Sequence, residues 1–231
     1  MSELLVIVPA RGGSKRLPGK NLRTLGRRSL LARTADALRE SGAQATCVLS
    51  TDDEEIAAAG IALGWLVPFR RPASLSTDQA ATAPVVLHAL DWFKQSRGQD
   101  PASVMVLQIT SPFRDGTCIA EALAKLEARP DAEAVVAMAR VDRSPRHLFS
   151  PGHDGYAIPL SDDSEPSSLL TPNGALYLIR TEVLRRTGSL FPARTLPLVM
   201  NNVAALDIDD EDDWRMAEAA EARGLTGAVI K

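Results

Sequence analysis

Cysteine and aromatic residues are scarce in this chain of 231 residues, which has two cysteines and 4% Phe, Trp and Tyr. The cysteines, Cys47 and Cys118, are too few for a disulfide framework, and each lies in or beside an apolar segment, as small buried hydrophobes do. No histidine pairs with a cysteine at zinc-ligand spacing. These shortages exclude a disulfide-stapled secreted domain and a zinc finger.

Long apolar runs and a surplus of positive charge are also missing. The apolar stretches fall far short of the ~20 residues that a membrane helix needs, and Leu4 to Pro9 is a strand-length run without a basic leader. The 26 Lys and Arg face 29 Asp and Glu, a net charge of -3, which excludes a chain-wide basic surface for nucleic acid. We expect a cytoplasmic protein that binds neither membranes nor nucleic acid.

Apolar runs typical of buried strands alternate with helical patterns along most of the chain. We predict strands at 4–8, 45–50, 65–68, 104–109, 134–138, 175–179 and 203–208. We predict helices at about 29–40, 53–63, 78–95, 115–128 and 210–222. This alternation indicates βαβ units, and therefore an α/β fold with a parallel sheet and helices on both faces.

Residues 140–172 interrupt this alternation with five prolines and two glycines. We interpret the stretch as a loop or flap inserted into the sheet rather than as a linker. The length suits one large domain, so we predict a single domain over residues 1–231 that carries this insertion.

A glycine-rich basic segment, Pro9 to Asn21, follows the first predicted strand. From Arg11 through Arg33 there are eight basic residues and no acidic one. Ligands of open α/β sheets bind beyond the carboxyl ends of strands, where glycines expose N–H groups and Lys or Arg neutralise an anion. The segment matches neither the Walker A nor the Gly-x-Gly-x-x-Gly pattern. It predicts a polyphosphate site, with a plain surface turn as the alternative.

An acidic segment lies near the other end of the chain, where six of the seven residues 207–213 are Asp or Glu. Asp207 and Asp209 would point to the same face of the predicted strand at 203–208 and suit a Mg²⁺ ion that also binds a phosphate. The acids from Asp210 onward fit the start of the last helix. A purely structural role for these two aspartates is the alternative. Together with the basic segment, the two aspartates indicate magnesium-assisted nucleotide chemistry.

Six segments resemble those of the CMP-N-acetylneuraminate synthetases (acylneuraminate cytidylyltransferases), and more distantly of the CMP-KDO synthetases. They occur in the family's order across nearly the whole chain: 10–21; 50–52; 71–73 with Asp78; 107–108 with 110–112 and Arg114; 173–177; and 207–209. The resemblance implies a three-layer, Rossmann-like nucleotidyltransferase domain with a mostly parallel sheet. It further implies an enzyme that couples CTP to an acidic sugar and releases pyrophosphate, and a homodimer with residues 140–172 near the partner contact.

The resemblance also implies roles for individual residues. The triphosphate and nucleoside would be bound by Arg11, Gly12, Gly13, Ser14, Lys15, Lys20, Asn21, Arg71 and Thr82. Gln108, Arg146 and Tyr177 would be near the acceptor, and Asp207 and Asp209 would bind Mg²⁺. Arg11, Lys20 and Asp209 are the expected catalytic residues, although Tyr177 fits a core position equally well.

One departure from the family concerns the acceptor. Sialic-acid members usually carry arginines shortly before the Asn-Gly-Ala-Leu-Tyr strand, whereas residues 165–172 contain no basic residue here. A carboxylate bound in the usual way would lose a bidentate partner, which Arg143 or Arg146 would have to replace. KDO, another nonulosonic acid or a phosphonate are therefore alternative acceptors, and a non-catalytic nucleotide-binding relative is a further alternative.

Overall fold

The structure, a computed structural model, describes residues 3–141, 149–151, 157–159, 169–225 and 229. Its strands are β1 (Leu4–Pro9), β2 (Thr24–Leu25), β3 (Arg28–Ser29), β4 (Thr46–Ser50), β5 (Ser103–Leu107), β6 (Ala134–Arg140), β7 (Phe149–Pro151), β8 (Ala157–Pro159), β9 (Leu170–Arg180) and β10 (Thr195–Val199). Its α-helices are α1 (Leu30–Glu40), α2 (Glu54–Ala62), α3 (Thr82–Arg97), α4 (Gly116–Ala128), α5 (Thr181–Thr187) and α6 (Glu211–Ala222). None of the helices in these ranges is both long and apolar enough to cross a membrane.

A six-stranded sheet with the order β10-β6-β9-β5-β1-β4 forms the centre of the fold. Strand β1 runs parallel to β4 and β5, and β10 runs parallel to β6. Strand β9 is antiparallel to both neighbours, so its first residues lie where β5 ends. The predicted α/β class with a mostly parallel sheet is confirmed, and polar residues that follow β1, β4 and β5 collect at one edge.

Helices cover both faces of the sheet, because alternate residues of each buried strand point in opposite directions. Val6 and Val8 belong to the cluster that packs against α1, α2 and α4. Leu5 and Ile7 belong to the cluster that packs against α3 and α5. A smaller cluster around Trp214 joins α6 to the β2–β3 hairpin. Continuous apolar strands such as β1 are therefore buried on both sides, as their composition predicts.

The strand predicted at 203–208 is wrong, and the strand that follows β9 and α5 in the chain is instead β10. Asn201 starts a turn, since its side-chain oxygen accepts a hydrogen bond from Ala204 N–H and its carbonyl oxygen one from Ala205 N–H. Pro197 obscured β10 in the sequence, although an edge strand of the sheet tolerates it. Asp207 therefore lies in a loop, and strand alternation does not explain how it is oriented.

Helix α3 begins at Thr82, four residues after its predicted start. Pro84 is then the third helical residue, where its missing N–H costs no intrahelical hydrogen bond. The segment 76–81 stays outside the helix and forms a wall of the cleft described below. The strand candidate at 65–68 contributes one isolated bridge, from Leu66 to Val48. Within the insertion, β7 and β8 pair as a short antiparallel ribbon.

Candidate active site

The basic loop, residues 11–21, leaves the carboxyl end of β1 and is held against the end of β4. Ala10 N–H donates to the Ser50 carbonyl oxygen at 3.0 Å, and Gly12 N–H donates to Asp52 Oδ1 at 3.0 Å. Asn21 Nδ2 donates to the Arg11 carbonyl oxygen at 2.7 Å, which closes the loop onto its own start. The loop is therefore fixed at both ends, while its cationic side chains remain at the sheet edge.

Gly12 is required by a close approach rather than by its backbone angle. A Cβ at this position would lie 2.8 Å from Asp53 Cβ. Asp53 is itself held, because its side chain accepts the Ile56 N–H as the N-cap of α2. A Cβ on the neighbouring Gly13 would meet nothing within 4 Å. The N–H of Gly12 is committed to Asp52, so its contribution to the site is to let the loop pack tightly.

The basic loop and the acidic segment meet at this edge, although they lie near opposite ends of the sequence. Lys20 Nζ donates to the Ile208 carbonyl oxygen at 2.8 Å and lies 3.3 Å from Asp209 Oδ1. Arg16 lies 2.8 Å from Asp209 Oδ2. Ile208 N–H donates to the Thr110 carbonyl oxygen at 2.8 Å, which attaches the acidic segment to the residues that follow β5. Opposite charges from both ends of the chain therefore face each other.

Asp207 has a buried carboxylate oxygen, Oδ1, with no hydrogen-bond partner among the described residues. Burial raises the pKa of Asp207, and the negative charge of Asp209 raises it further, while a Thr110 hydrogen bond and the positive charge of Lys20 oppose the shift. The other oxygen, Oδ2, lies close to Gly174: a Cβ added to this glycine would be 3.5 Å from Oδ2. A carboxylate with one unpartnered oxygen, in the same cleft as a second carboxylate, is suited to a hard divalent cation.

These groups line one cleft that opens to solvent. The sequence-predicted residues along it are Arg11, Ser14, Lys20, Asn21, Arg71, Thr82, Gln108, Asp207 and Asp209. Lys15 lines an adjoining hollow together with Arg16 and Asp78. The structure therefore brings both charged segments and the ends of β1 and β5 to a single cavity.

Arg71 is a second cation of the cleft and is buried. Its Nε donates to Ser50 Oγ at 3.0 Å, and its terminal nitrogen donates to the Ser50 carbonyl oxygen. Burial lowers the pKa of Arg71 to about 10, with the negative charge of Asp52 opposing that shift. The guanidinium remains charged at neutral pH and is held in place by the same strand end that anchors the basic loop.

Besides Lys15, three predicted site residues in the described part of the chain do not line the cleft, namely Gly12, Gly13 and Tyr177. Tyr177 lies in the core beneath α3, and its ring makes an edge contact with Phe191 at 5.6 Å between centroids. Burial raises the pKa of Tyr177, and the charge of Asp207 adds to that effect. Gly13 is exposed on the outside of the basic loop. Arg146 lies outside the described residues.

Arg114 is a buried residue to which the sequence assigned no role beyond a matching motif. One terminal nitrogen donates to the carbonyl oxygens of Gln108 at 2.7 Å and of Ala175 at 2.8 Å. The other donates to Thr34 Oγ1 at 2.9 Å. Burial lowers the pKa of Arg114 to about 10. Arg114 therefore joins β5, β9 and α1 and fixes the backbone of Gln108, a function that depends on three elements and leaves no periodic signal.

Comparison with known proteins identifies the family. A family model described as "Cytidylyltransferase" matches residues 5–202. The chain belongs to the cytidylyltransferase family. It is a CTP-dependent nucleotidyltransferase, which confirms the resemblance seen in the sequence and the reaction class inferred from it. Cytidylyltransferases of this kind generally depend on a divalent metal ion.

Relatives of this cytidylyltransferase include a CMP-N,N'-diacetyllegionaminic acid synthase from Legionella pneumophila, 32% identical over 222 residues, which cover 93% of the chain and 94% of that protein. An N-acylneuraminate cytidylyltransferase from Streptococcus agalactiae is 32% identical over 220 residues. That match covers 91% of the chain but only 51% of the longer relative. Among solved structures, a CMP:2-keto-3-deoxy-manno-octonic acid synthetase complexed with CTP superposes with a TM-score of 0.70 at 16% identity, covering 97% of the chain and 100% of its own.

Proposed function

We propose that this cytidylyltransferase transfers CMP from CTP to an acidic sugar of the nonulosonic class, giving a CMP-sugar and pyrophosphate. The observation that carries the proposal is the single cleft that holds both the basic loop and the Asp207–Asp209 pair, in contact through Lys20. The named activities of the two relatives, on a legionaminic acid and on N-acylneuraminate, support the acceptor class.

In the proposed nucleotide site, positively charged side chains bind the negatively charged phosphates. Arg11, Ser14, Lys15 and Lys20 bind the triphosphate, because their side chains are at the sheet edge where such anions bind. Asn21, Arg71 and Thr82 line the same cleft and hold the cytosine and ribose. Gly12 and Gly13 shape the loop that carries these groups.

A magnesium ion fits the acidic pair. The buried Oδ1 of Asp207 has no hydrogen-bond partner among the described residues, and Mg²⁺ prefers a few carboxylate ligands completed by water and substrate phosphates. Asp207 and Asp209 would hold the ion. When bound, it would neutralise charge on the phosphate oxygens.

The reaction is an in-line displacement in which an acceptor oxygen attacks the α-phosphorus of CTP and pyrophosphate leaves. The chain positions the two reactants and stabilises charge that develops on the phosphoryl groups, which is the main source of catalysis in such transfers. Lys20 and Arg11 donate hydrogen bonds to those groups. Asp209 orients the acceptor. We also propose that Asp209 helps to remove the proton from the acceptor oxygen.

We assign Gln108 to the acceptor, because it lines the cleft and its backbone carbonyl is held by Arg114. Tyr177 would affect the acceptor only indirectly, by packing in the sheet that supports the cleft. The segment before Asn173 still lacks the arginines of sialic-acid enzymes. For that reason KDO, a different nonulosonic acid and a phosphonate stay as second candidates, with the CTP-bound KDO enzyme as a fold relative.

An assay of pyrophosphate release tests both halves together. CTP, UTP, ATP and GTP are each offered with N-acetylneuraminate, a legionaminic acid, a pseudaminic acid, KDO and a simple phosphonate, in the presence of Mg²⁺. We expect release with CTP and a nonulosonic acid, and none after chelation of the metal. Pyrophosphate release only with KDO, or only with the phosphonate, would identify that compound as the acceptor instead. CTP binding without pyrophosphate release in any mixture would indicate a non-catalytic relative.

The assembly and location belong to the same proposal. We propose a homodimer in the cytoplasm, with one catalytic domain over residues 1–231 and the insertion at 140–172 near the partner contact. Support comes from Phe191, an exposed aromatic that lies beside the buried Tyr177.

A further inference from the structure

The cations of the basic loop are already paired with acids of the chain itself. Asp78 Oδ1 lies 2.5 Å from Arg11, and Asp78 Oδ2 lies 2.6 Å from Lys15. On the other side, Asp209 contacts Arg16 and Lys20. Four positive groups that face the cleft or its mouth are thus shared between two carboxylates, one of them outside the acidic segment.

Asp78 belongs to the cleft wall at 76–81, which precedes α3, and its two ion pairs join that wall to the basic loop. The hydrogen bond from Lys15 and then that from Arg11 lower the pKa of Asp78, so the carboxylate is charged at neutral pH. Both of its oxygens have cationic partners, in contrast to the unpartnered Oδ1 of Asp207. These contacts make Asp78 an ion-pair partner of the basic loop.

We infer that Asp78 competes with the nucleotide's phosphates for Arg11 and Lys15, and so sets how tightly the cleft holds a polyphosphate. The inference rests on the proposed function, because it takes the basic loop to be the triphosphate site. A polyphosphate that engages Arg11 and Lys15 leaves the Asp78 carboxylate without its partners and close to phosphate oxygens of the same sign. That repulsion weakens binding and favours departure of pyrophosphate, after which Asp78 pairs with both cations again.

The test measures the dissociation constant of inorganic pyrophosphate by calorimetry, without divalent metal, for the full chain and for Asp78→Asn. Asp100→Asn is the matched control, since Asp100 also links an arginine and a lysine, at 2.6 Å from Arg185 and 3.5 Å from Lys94, away from the cleft. We expect Asp78→Asn to bind pyrophosphate roughly three- to tenfold more tightly at low ionic strength. The gain should shrink in high salt, because the groups are partly exposed. Asp100→Asn should bind like the parent chain.

Asp78→Ser removes the same charge with a smaller side chain and should change the affinity in the same direction. Equal or weaker pyrophosphate binding by both variants, with melting temperatures like that of the parent, would overturn the inference while leaving the nucleotide site intact. If the parent chain binds neither pyrophosphate nor CTP, the proposed function fails and the inference fails with it. Binding of pyrophosphate and CTP by the parent chain therefore distinguishes failure of the inference from failure of the proposed function.

Discussion

Lys20 is the residue whose position is most informative for the chemistry. Its side chain is only 12% exposed, and its ammonium group bridges the Ile208 carbonyl and Asp209. A buried cation at this point stabilises charge on a transferring phosphoryl group without reorganising.

We predict that Lys20→Ala lowers kcat by roughly 10²- to 10³-fold, the usual cost of removing one such donor. Steady-state pyrophosphate release measures the effect, and circular dichroism checks that the fold is retained. Lys125→Ala, on α4 away from the cleft, is the control and should behave like the parent. Near-normal turnover of Lys20→Ala would remove Lys20 from the mechanism.

Adjacent glycines of the basic loop differ in what a side chain would meet, which gives a matched pair of variants. Gly12→Ala places a Cβ against Asp53, whose side chain caps α2, and should cost about 1–3 kcal/mol of unfolding free energy, as overpacking does. Gly13→Ala meets nothing within 4 Å and should unfold like the parent. Urea denaturation of both variants provides the comparison, and equal midpoints would contradict the packing argument.

At the scale of elements, the start of helix α4 meets the end of helix α1 at a glycine. A Cβ on Gly116, the first residue of α4, would lie 2.7 Å from backbone atoms of Glu40 and Ser41 at the end of α1. Backbone atoms do not yield as the tip of a side chain does. We predict that Gly116→Ala destabilises the chain by about 1–3 kcal/mol. Thr117→Ala, at the next and exposed position, should change the denaturant midpoint little; a similar loss in both would argue against the clash.

Helix α1 is also tied to β3 by a carboxylate with a shifted pKa. The hydrogen bond from Arg28 and that from Arg39 lower the pKa of Asp36 despite its partial burial. Because the folded-state pKa is lower than the unfolded one, this contribution to stability is present above the unfolded value and is lost as the pH falls through the folded value.

We predict that Asp36→Asn loses about 0.5 kcal/mol of unfolding free energy at pH 7, which is typical of partly exposed ion pairs. The difference from the parent chain should narrow as the pH falls below about 4, where the ordinary Asp pKa lies. Urea titrations at a series of pH values measure it. A difference that stays constant with pH would show that packing, and not the charge, makes the contribution.

At the scale of the whole molecule, an exposed aromatic marks the surface where the proposed homodimer is testable. Phe191 is 51% exposed, and its ring makes a T-shaped contact with that of Tyr177. We predict a solution mass of twice 24.7 kDa by light scattering, and weaker association for Phe191→Ser. Met216→Ser is the control: Met216, on α6, is an apolar residue that is 54% exposed. This substitution should leave the solution mass unchanged. A parent chain that is monomeric at all concentrations would contradict the proposal.

The α/β class, most helices and most sheet strands were predictable because each has its own local pattern. The basic loop was likewise recognisable, since its glycines and cations are contiguous. The strand at 203–208 was mispredicted because apolar residues around Asn201 and Asp207 imitate a strand, while Pro197 masks the true one. Arg114 and Asp78 were recognised only as parts of motifs, because their partners lie far away in the sequence.

The order of residues by itself determined the strands that are buried on both faces, the cationic turn after the first of them, and the family to which the chain belongs. Periodicity and composition act locally, so they survive without coordinates. Only the tertiary structure decided which groups meet: Lys20 with Asp209, Asp78 with Arg11 and Lys15, and Arg114 with the carbonyl oxygens of Gln108 and Ala175. Those pairings depend on where parallel strands place their carboxyl ends in space, and burial, which sets the pKa of Asp207 and Arg71, exists only once the chain has packed.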